Sequence, residues 1–338
     1  MENIMIIGDL FIPNNTIYSV VKKEYPHSNI VYYNWDLESE AELTKINIHV
    51  EKNGPNNLLK SEKIVELGNL HQIDLMIIHF YPISNEIINN IPSLKYIGIL
   101  RAGTENIDQQ SCEKNNIKII NTPGRNANAV AEFTLGMVLS EMRNIARAHK
   151  SLLQNNWTKD FPISLPRELR DCTIGIIGYG NIGRLVAKKF KLLGSHVIIH
   201  DPFLPNQVIT SDGFECVSDE YILENSDVVS IHLRLSDKTY HYLSKKRLSK
   251  LKQNTYLINV SRAELVDELF LVELLKSNKI AGAALDVFSQ EPLAEDHPIC
   301  SVPNATLTSH LAGTTSSAFT NSVNLLINNI KETILEKH

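Results

Sequence analysis

Residues 173–194, TIGIIGYGNIGRLVAKKFKLLG, restrict the surrounding fold more than any other stretch of this chain. The opening β-branched run reads as a strand. Ile182, Leu185, Val186, Phe190 and Leu193 then recur on one helical face, and Gly194 can end that helix. Between the two elements lies Gly178-Tyr179-Gly180-Asn181-Ile182-Gly183. Gly178 permits a tight turn, Gly180 lets a pyrophosphate approach the backbone, and Gly183 lets the helix lie close to the strand. A helix N-terminus placed there attracts phosphate charge. The next strand, HVIIHD, ends in Asp201, 18 positions after Gly183, where a carboxylate can accept hydrogen bonds from both hydroxyls of an adenosine ribose. The same carboxylate repels a 2′-phosphate, so the expected cofactor is NAD rather than NADP. Asp201 also precedes Pro202, a common way to begin a turn, and that reading stays open.

The same strand-then-helix rhythm runs through the whole chain. Short β-branched runs (NIMIIG, NIVYYN, DLMIIHF, LKYIGIL, IKIIN, then TIGIIG, HVIIHD, DVVSIHL, TYLINV, IAGAALDV, ATLTSH) alternate with longer amphipathic segments. Continuous apolar strands separated by helices indicate parallel sheets covered on both faces, hence an α/β fold. Eleven strands exceed one comfortable open sheet, and 338 residues at roughly 150 per domain suggest two domains. We therefore expect two doubly wound parallel-sheet domains of Rossmann or flavodoxin-like type, of about five and six strands, with a cleft between them. The first would span 1–121 and be completed by a C-terminal helix within 311–338, and the cofactor domain would span 122–310. The seam is placed at Thr122-Pro123-Gly124 and near Ala312-Gly313. AVAEFTLGMVLSEMRNIARAHKSLL reads as one long buried helix, and AFTNSVNLLINNIKETILE as a helix packing back on the first domain.

Charge and cysteine content exclude several other classes. The chain carries 33 basic and 38 acidic residues, a net charge of -5, with no basic block dense enough to track a phosphate backbone, so no nucleic-acid partner is expected. Cys112, Cys172, Cys216 and Cys300 lie 60, 44 and 84 positions apart, matching neither a metal site nor a disulfide framework. No metal is expected, and a reducing compartment is. The opening MENIMIIGDLF lacks an export signal, and no apolar run approaches membrane-spanning length; the expected location is cytoplasmic, with no membrane partner.

Three chemically active residues stand at strand ends: Arg262 after TYLINVS, Glu291 after ALDVFSQ, and His310 after ATLTS. Ligands of doubly wound folds bind at the carboxyl ends of strands, so the three can converge on one substrate. Oxidising a hydroxyl needs a base for its proton and a cation for the carboxylate and developing carbonyl, parts that suit His310 and Arg262. Glu291 would orient His310 and favour imidazolium. Taken singly, each has a plainer role: Arg262 paired on the surface with Glu264 or Asp267, Glu291 in a turn before Pro292, and His310 as one of 12 histidines that only fills space.

From about Ile97 to Gly313 the chain resembles the D-isomer-specific 2-hydroxyacid dehydrogenases, the phosphoglycerate dehydrogenase-like branch in particular. The resemblance lies in LRAGTENID, NTPGRNANAVAEFTLG, GIIGYGNIG, HLRLSDKT, INVSRAELVDE, GAALDVFSQEPL and TSHLAGTT, met in the family's order. It implies that Arg262, Glu291 and His310 are catalytic, that His232 and Asp286 are cofactor-binding, with Asp286 on the nicotinamide carboxamide, and that the loop Arg101-Ala102-Gly103-Thr104 presents backbone N–H groups to the substrate carboxylate. Arg101 itself either takes a second anionic group of the substrate or salt-bridges to Glu105 or Asp108. The text departs from the family at Leu169-Arg170-Asp171-Cys172 and at Ala263-Glu264, and the first 90 residues carry no family signature.

The expected activity is NAD-linked hydride transfer between a small D-2-hydroxy acid and its 2-oxo acid, with closure between the domains excluding water. Formate dehydrogenase resembles this family but carries an amide where Glu291 stands. An NAD(H)-sensing binding protein of the corepressor type is the alternative without turnover, which the intact Arg-Glu-His set and the lack of a long tail disfavour. Family members are usually dimeric, and SLLQNNWTKDFPISLPREL is where a second copy is expected to dock, an ordinary solvated linker being the other reading.

Overall fold

The computed structural model describes residues 1–159 and 165–335, and in them the β-branched runs form two sheets of parallel strands. In the first, β1 (Asn3–Ile7), β2 (Asn29–Tyr32), β3 (Leu75–Ile78), β4 (Tyr96–Ile99) and β5 (Lys118–Ile120) are ordered β2-β1-β3-β4-β5. In the second, β6 (Thr173–Ile177), β7 (His196–His200), β8 (Glu215–Cys216), β9 (Val228–Ile231), β10 (Tyr256–Asn259), β11 (Gly282–Leu285) and β12 (Ala305–Leu307) are ordered β12-β11-β10-β9-β6-β7-β8. Seven strands stand where about six were expected. The addition, β8, has two residues, too few to show any periodicity.

The chain divides into two units, Met1–Asn126 with Thr315–His338, and Ala127–Thr314. In the first, alternation along the strands builds two cores. Met5, Ile7, Met76, Ile78, Ile97 and Ile99 face Tyr81 and Ile87 on one side. Ile4, Ile6, Leu75 and Ile77 face Val323, Leu326, Ile327 and Ile330 of the helix Ser316–Leu335 on the other. A Cβ on Gly98 would come within 3.0 Å of Leu326, so the missing side chain lets this helix lie on the sheet.

In the second unit, the expected long helix is two. Ala127–Met142 is largely buried against the sheet, whereas Ile145–Leu153 has no buried residue. The chain breaks at Asn144, whose φ of 57° is left-handed, a conformation Asn tolerates better than most residues. Arg147 stabilises the break: its guanidinium bonds the Glu141 carbonyl at 2.9 Å, the wholly buried Glu141 carboxylate, and Asn144 Oδ1 at 2.8 Å. Of the segment expected to dock a second copy, residues 160–164 lie outside the described residues.

Candidate active site

At the carboxyl edge of the second sheet, every strand from β12 across to β7 is followed by a residue singled out from the sequence. His310 follows β12, Asp286 follows β11, Arg262 follows β10, His232 follows β9, Gly178 follows β6 and Asp201 follows β7. Parallel pairing puts all these ends on one edge.

Asp286 links three neighbouring strand ends of this edge, those of β10, β11 and β12. Its N–H donates to Asn259 O at 3.0 Å, and the Asn259 side chain, 2% exposed, clamps the next loop by accepting from Ser261 N and donating to Arg262 O at 2.8 Å. On the other side the Asp286 carboxylate, wholly buried, accepts from Thr308 Oγ1 at 2.6 Å, Leu311 N at 2.9 Å and Ala312 N at 2.8 Å. Those donors bracket His310, which takes a left-handed φ of 56°. The resemblance puts Asp286 on the nicotinamide carboxamide. Here three of about four acceptor positions are spent on the turn that carries His310.

His310 Nδ1 lies 2.8 Å from Glu291 Oε2, and Glu291 Oε1 accepts the Phe288 N–H at 3.0 Å. A carboxylate can only accept, so Nδ1 carries the proton and Nε2 is left to exchange one with a ligand. Both side chains are open to solvent, 46% and 38% exposed. Arg262 is exposed as well; its Nη1 donates to Ser261 O at 2.7 Å, and neither Glu264 nor Asp267 pairs with it among the described residues. Sequence reasoning missed Asn259 and Thr308. Their signal was a short polar side chain two or three positions before the reactive residue, the type that bonds local backbone.

The glycine loop fits a dinucleotide. Gly178 has φ 99°, and a Cβ there would sit 2.7 Å from the His232 carbonyl, so only glycine passes. A Cβ on Gly183 would lie 2.0 Å from Gly178 O, whereas one on Gly180 meets nothing within 4 Å, which leaves open space beside the loop. The helix Asn181–Leu192 that follows has no side-chain cap, which leaves its first N–H groups, at Asn181 and Ile182, available to an anion.

Asp201 both forms the turn and faces the loop. Oδ1 accepts from Phe203 N and Leu204 N, Oδ2 from Tyr179 N at 2.6 Å. One acceptor position is left for a ribose hydroxyl, rather than the two expected, because the carboxylate also fixes its own loop. His232 is buried; burial alone pushes its pKa down to about 4, Nε2 pairs with Ser230 Oγ at 2.9 Å, and Nδ1 is buried without a partner. Among the described residues no group of three or more His, Cys, Asp or Glu could hold a metal ion.

In the first unit, Asn121 Nδ2 donates to Ala102 O at 2.6 Å and steadies the loop 101–104, and among the described residues the Ala102 and Gly103 N–H groups have no acceptor. Arg101 is taken. It donates to Asn47 Oδ1 at 2.7 Å and Glu51 Oε1 at 2.8 Å, lies 3.8 Å from Glu105, and stacks 4.9 Å from the Phe80 ring. Asp108, the other expected partner, instead caps a short helix and accepts from Asn56.

Residues 135–312, more than half the chain, match the family described as D-isomer specific 2-hydroxyacid dehydrogenase, NAD binding domain. The chain belongs to that family. The glyoxylate reductase of Thermofilum pendens is 38% identical over 246 residues, 70% of each chain. The D-3-phosphoglycerate dehydrogenase of Methanocaldococcus jannaschii is 35% identical over 237 residues, 70% of this chain and 45% of that one, so this 2-hydroxyacid dehydrogenase spans under half of that relative's length. The D-isomer specific 2-hydroxyacid dehydrogenase of Lactobacillus delbrueckii ssp. bulgaricus, in its NAD complexed form, shares the fold with a TM-score of 0.77 at 22% identity, covering 99% of this chain and 97% of that one. NAD is the cofactor of this dehydrogenase, and its reaction links 2-hydroxy acids to 2-oxo acids. No helix among the described residues is long and apolar enough to cross a membrane.

Proposed function

We propose that the chain interconverts a small D-2-hydroxy acid and its 2-oxo acid, with His310 as acid and base, Glu291 as its partner, and Arg262 as the anchor of the substrate carboxylate. The observation that carries this reading is the hydrogen-bonded frame running from Arg262 through Asn259 and Asp286 to the turn of His310, which faces Glu291. NAD(H), when bound, accepts or supplies the hydride. In reduction, protonated His310 gives its Nε2 proton to the carbonyl oxygen as that oxygen gains charge; in oxidation the neutral Nε2 takes the hydroxyl proton. Arg262 keeps further N–H donors for a carboxylate and the adjoining carbonyl, where a planar fork gives both charge and alignment. Gly178, Gly180, Asn181, Ile182 and Gly183 would hold the pyrophosphate, Asp201 a ribose hydroxyl, and His232 the far wall of the loop.

The test is NADH oxidation across a panel of 2-oxo acids that begins with glyoxylate. Turnover of at least one acid is expected. NADH binding with no oxidation across the panel would overturn the reading and favour the corepressor-type sensor.

We also propose a homodimer that uses the helix Ile145–Leu153 and residues 154–159 after it. Leu153 and Trp157 are 72% and 80% exposed there, more apolar surface than a solvated helix needs. Light scattering that returned a monomer mass at micromolar concentration would reject this.

A further inference from the structure

The Glu291 carboxylate stands on a loop, and a second carboxylate spans that loop. After β11 the chain runs from Val287 to His297 without helix or strand, and Glu291 lies six positions beyond the strand. Phe288 at one end and Ile299 at the other enter the core of the second unit, and Leu293 rests partly against it. Such packing holds the loop to the surface but has no direction, so it cannot by itself aim a carboxylate at a ring nitrogen 2.8 Å away.

Glu268 supplies the direction. It opens the helix Glu268–Lys276 behind the Asp267 cap, where a helix N-terminus favours negative charge. Its Oε2 accepts the Ser289 N–H at 3.1 Å, and its Oε1 lies 3.0 Å from His297 Nε2, off the line of a hydrogen bond. Both side chains are 13% exposed, so water screens little of the pairing. His297 cannot change tautomer freely: its Nδ1 accepts the Ile299 N–H at 3.3 Å, which leaves the proton on Nε2, the nitrogen nearer Glu268. One carboxylate thus holds Ser289 and His297, on either side of Glu291. Among the described residues, the only other hydrogen bond or ion pair from 288–297 to a residue outside the loop is that of Glu291 with His310.

We propose that Glu268 is a positioning residue for the reaction: by tying Ser289 and His297 to one point, it sets where Glu291 meets His310. This rests on the dehydrogenase reading above and deepens it, because Glu268 acts through Glu291. A displacement of about 1 Å in a group that orients a reacting ring can cost up to about 100-fold in rate.

The experiment is a double-mutant cycle with Glu268→Ala and Glu291→Ala, read by kcat and KM on a 2-oxo acid that the wild type reduces. Glu268→Ala alone should lower kcat about 3- to 30-fold, with KM and NADH affinity within about twofold of wild type. In the Glu291→Ala background the same change should lower kcat less than about twofold, because the group it positions is gone. Glu268→Gln, whose amide oxygen can still accept the Ser289 N–H, should recover part of the rate. An unchanged kcat in Glu268→Ala, or losses that multiply in the double variant, overturn the inference and leave the dehydrogenase reading intact. If wild type oxidises NADH with no acid, that reading fails instead, and amide exchange decides the positioning alone. Glu291 Oε1 holds the Phe288 N–H, whose exchange should speed at least about tenfold in Glu268→Ala while the amides of β11 stay protected. Equal exchange at Phe288 overturns the proposal. Should Glu268→Ala not fold, Glu268→Gln enters the same cycle and the same exchange measurement under the same criteria.

Discussion

The Nδ1 atom of His310 lies 2.8 Å from Oε2 of Glu291, and this contact fixes which imidazole nitrogen is free for chemistry. Replacing the ring by His310→Asn removes the exchangeable proton and should lower kcat by about 10²- to 10⁴-fold while NADH still binds. Glu291→Ala should cost less, about 10- to 100-fold, because the ring loses orientation rather than existence. Steady-state rates with fluorescence titration of NADH check both; a His310→Asn enzyme with ordinary kcat would remove the acid-base assignment.

Gly180 and Gly183 separate cofactor binding from folding. A methyl on Gly180 meets no protein atom, so Gly180→Ala should melt within a degree or two of wild type yet bind NADH at least about tenfold more weakly. A methyl on Gly183 would lie 2.0 Å from Gly178 O, so Gly183→Ala should lose about 2 kcal/mol or more of stability. Equal melting temperatures for the two variants would contradict this assignment.

Asp286→Asn keeps the size of the side chain but turns one acceptor into a donor facing Thr308 Oγ1, Leu311 N or Ala312 N. A buried donor set against donors should cost about 1–3 kcal/mol and loosen the turn of His310, lowering kcat more than it raises the NADH dissociation constant. An enzyme that lost NADH affinity alone would point to a direct cofactor contact instead.

His232 makes stability depend on acid. Its folded pKa, about 4, lies below the ordinary 6.5, so between those values the unfolded chain takes a proton that the folded chain refuses. Stability from this group is therefore complete above about pH 6.5 and falls by about 1.4 kcal/mol per pH unit down to about pH 4. His79, also pushed down chiefly by burial, acts in the same direction. Urea midpoints at about pH 7 and about pH 5 should differ less in His232→Gln than in wild type; equal differences would discount the group.

Much of this site was readable before any coordinates. Glycine spacing and strand-end position are local signals, and the residues they marked, Gly178, Asp201, Arg262 and His310, follow strands along one sheet edge, whereas Glu291 lies six residues past the end of β11 and meets His310 through its side chain. What escaped depends on which partners a side chain meets once folded. Arg101 pairs with Glu51 fifty positions earlier, a contact that neither residue's neighbours announce. The break at Asn144 follows from Arg147 reaching back to a buried carboxylate, which no periodicity encodes. The spent carboxylate of Asp286 was hidden because a residue type does not reveal how many of its lone pairs the fold will use.

Asn259 and Asp286 tie the guanidinium loop and the imidazole turn to adjacent strands of one sheet. Catalytic competence therefore has no separate fragile step: on heating, the enzyme should hold its turnover until that sheet gives way, and thermal inactivation and loss of parallel strand pairing should coincide.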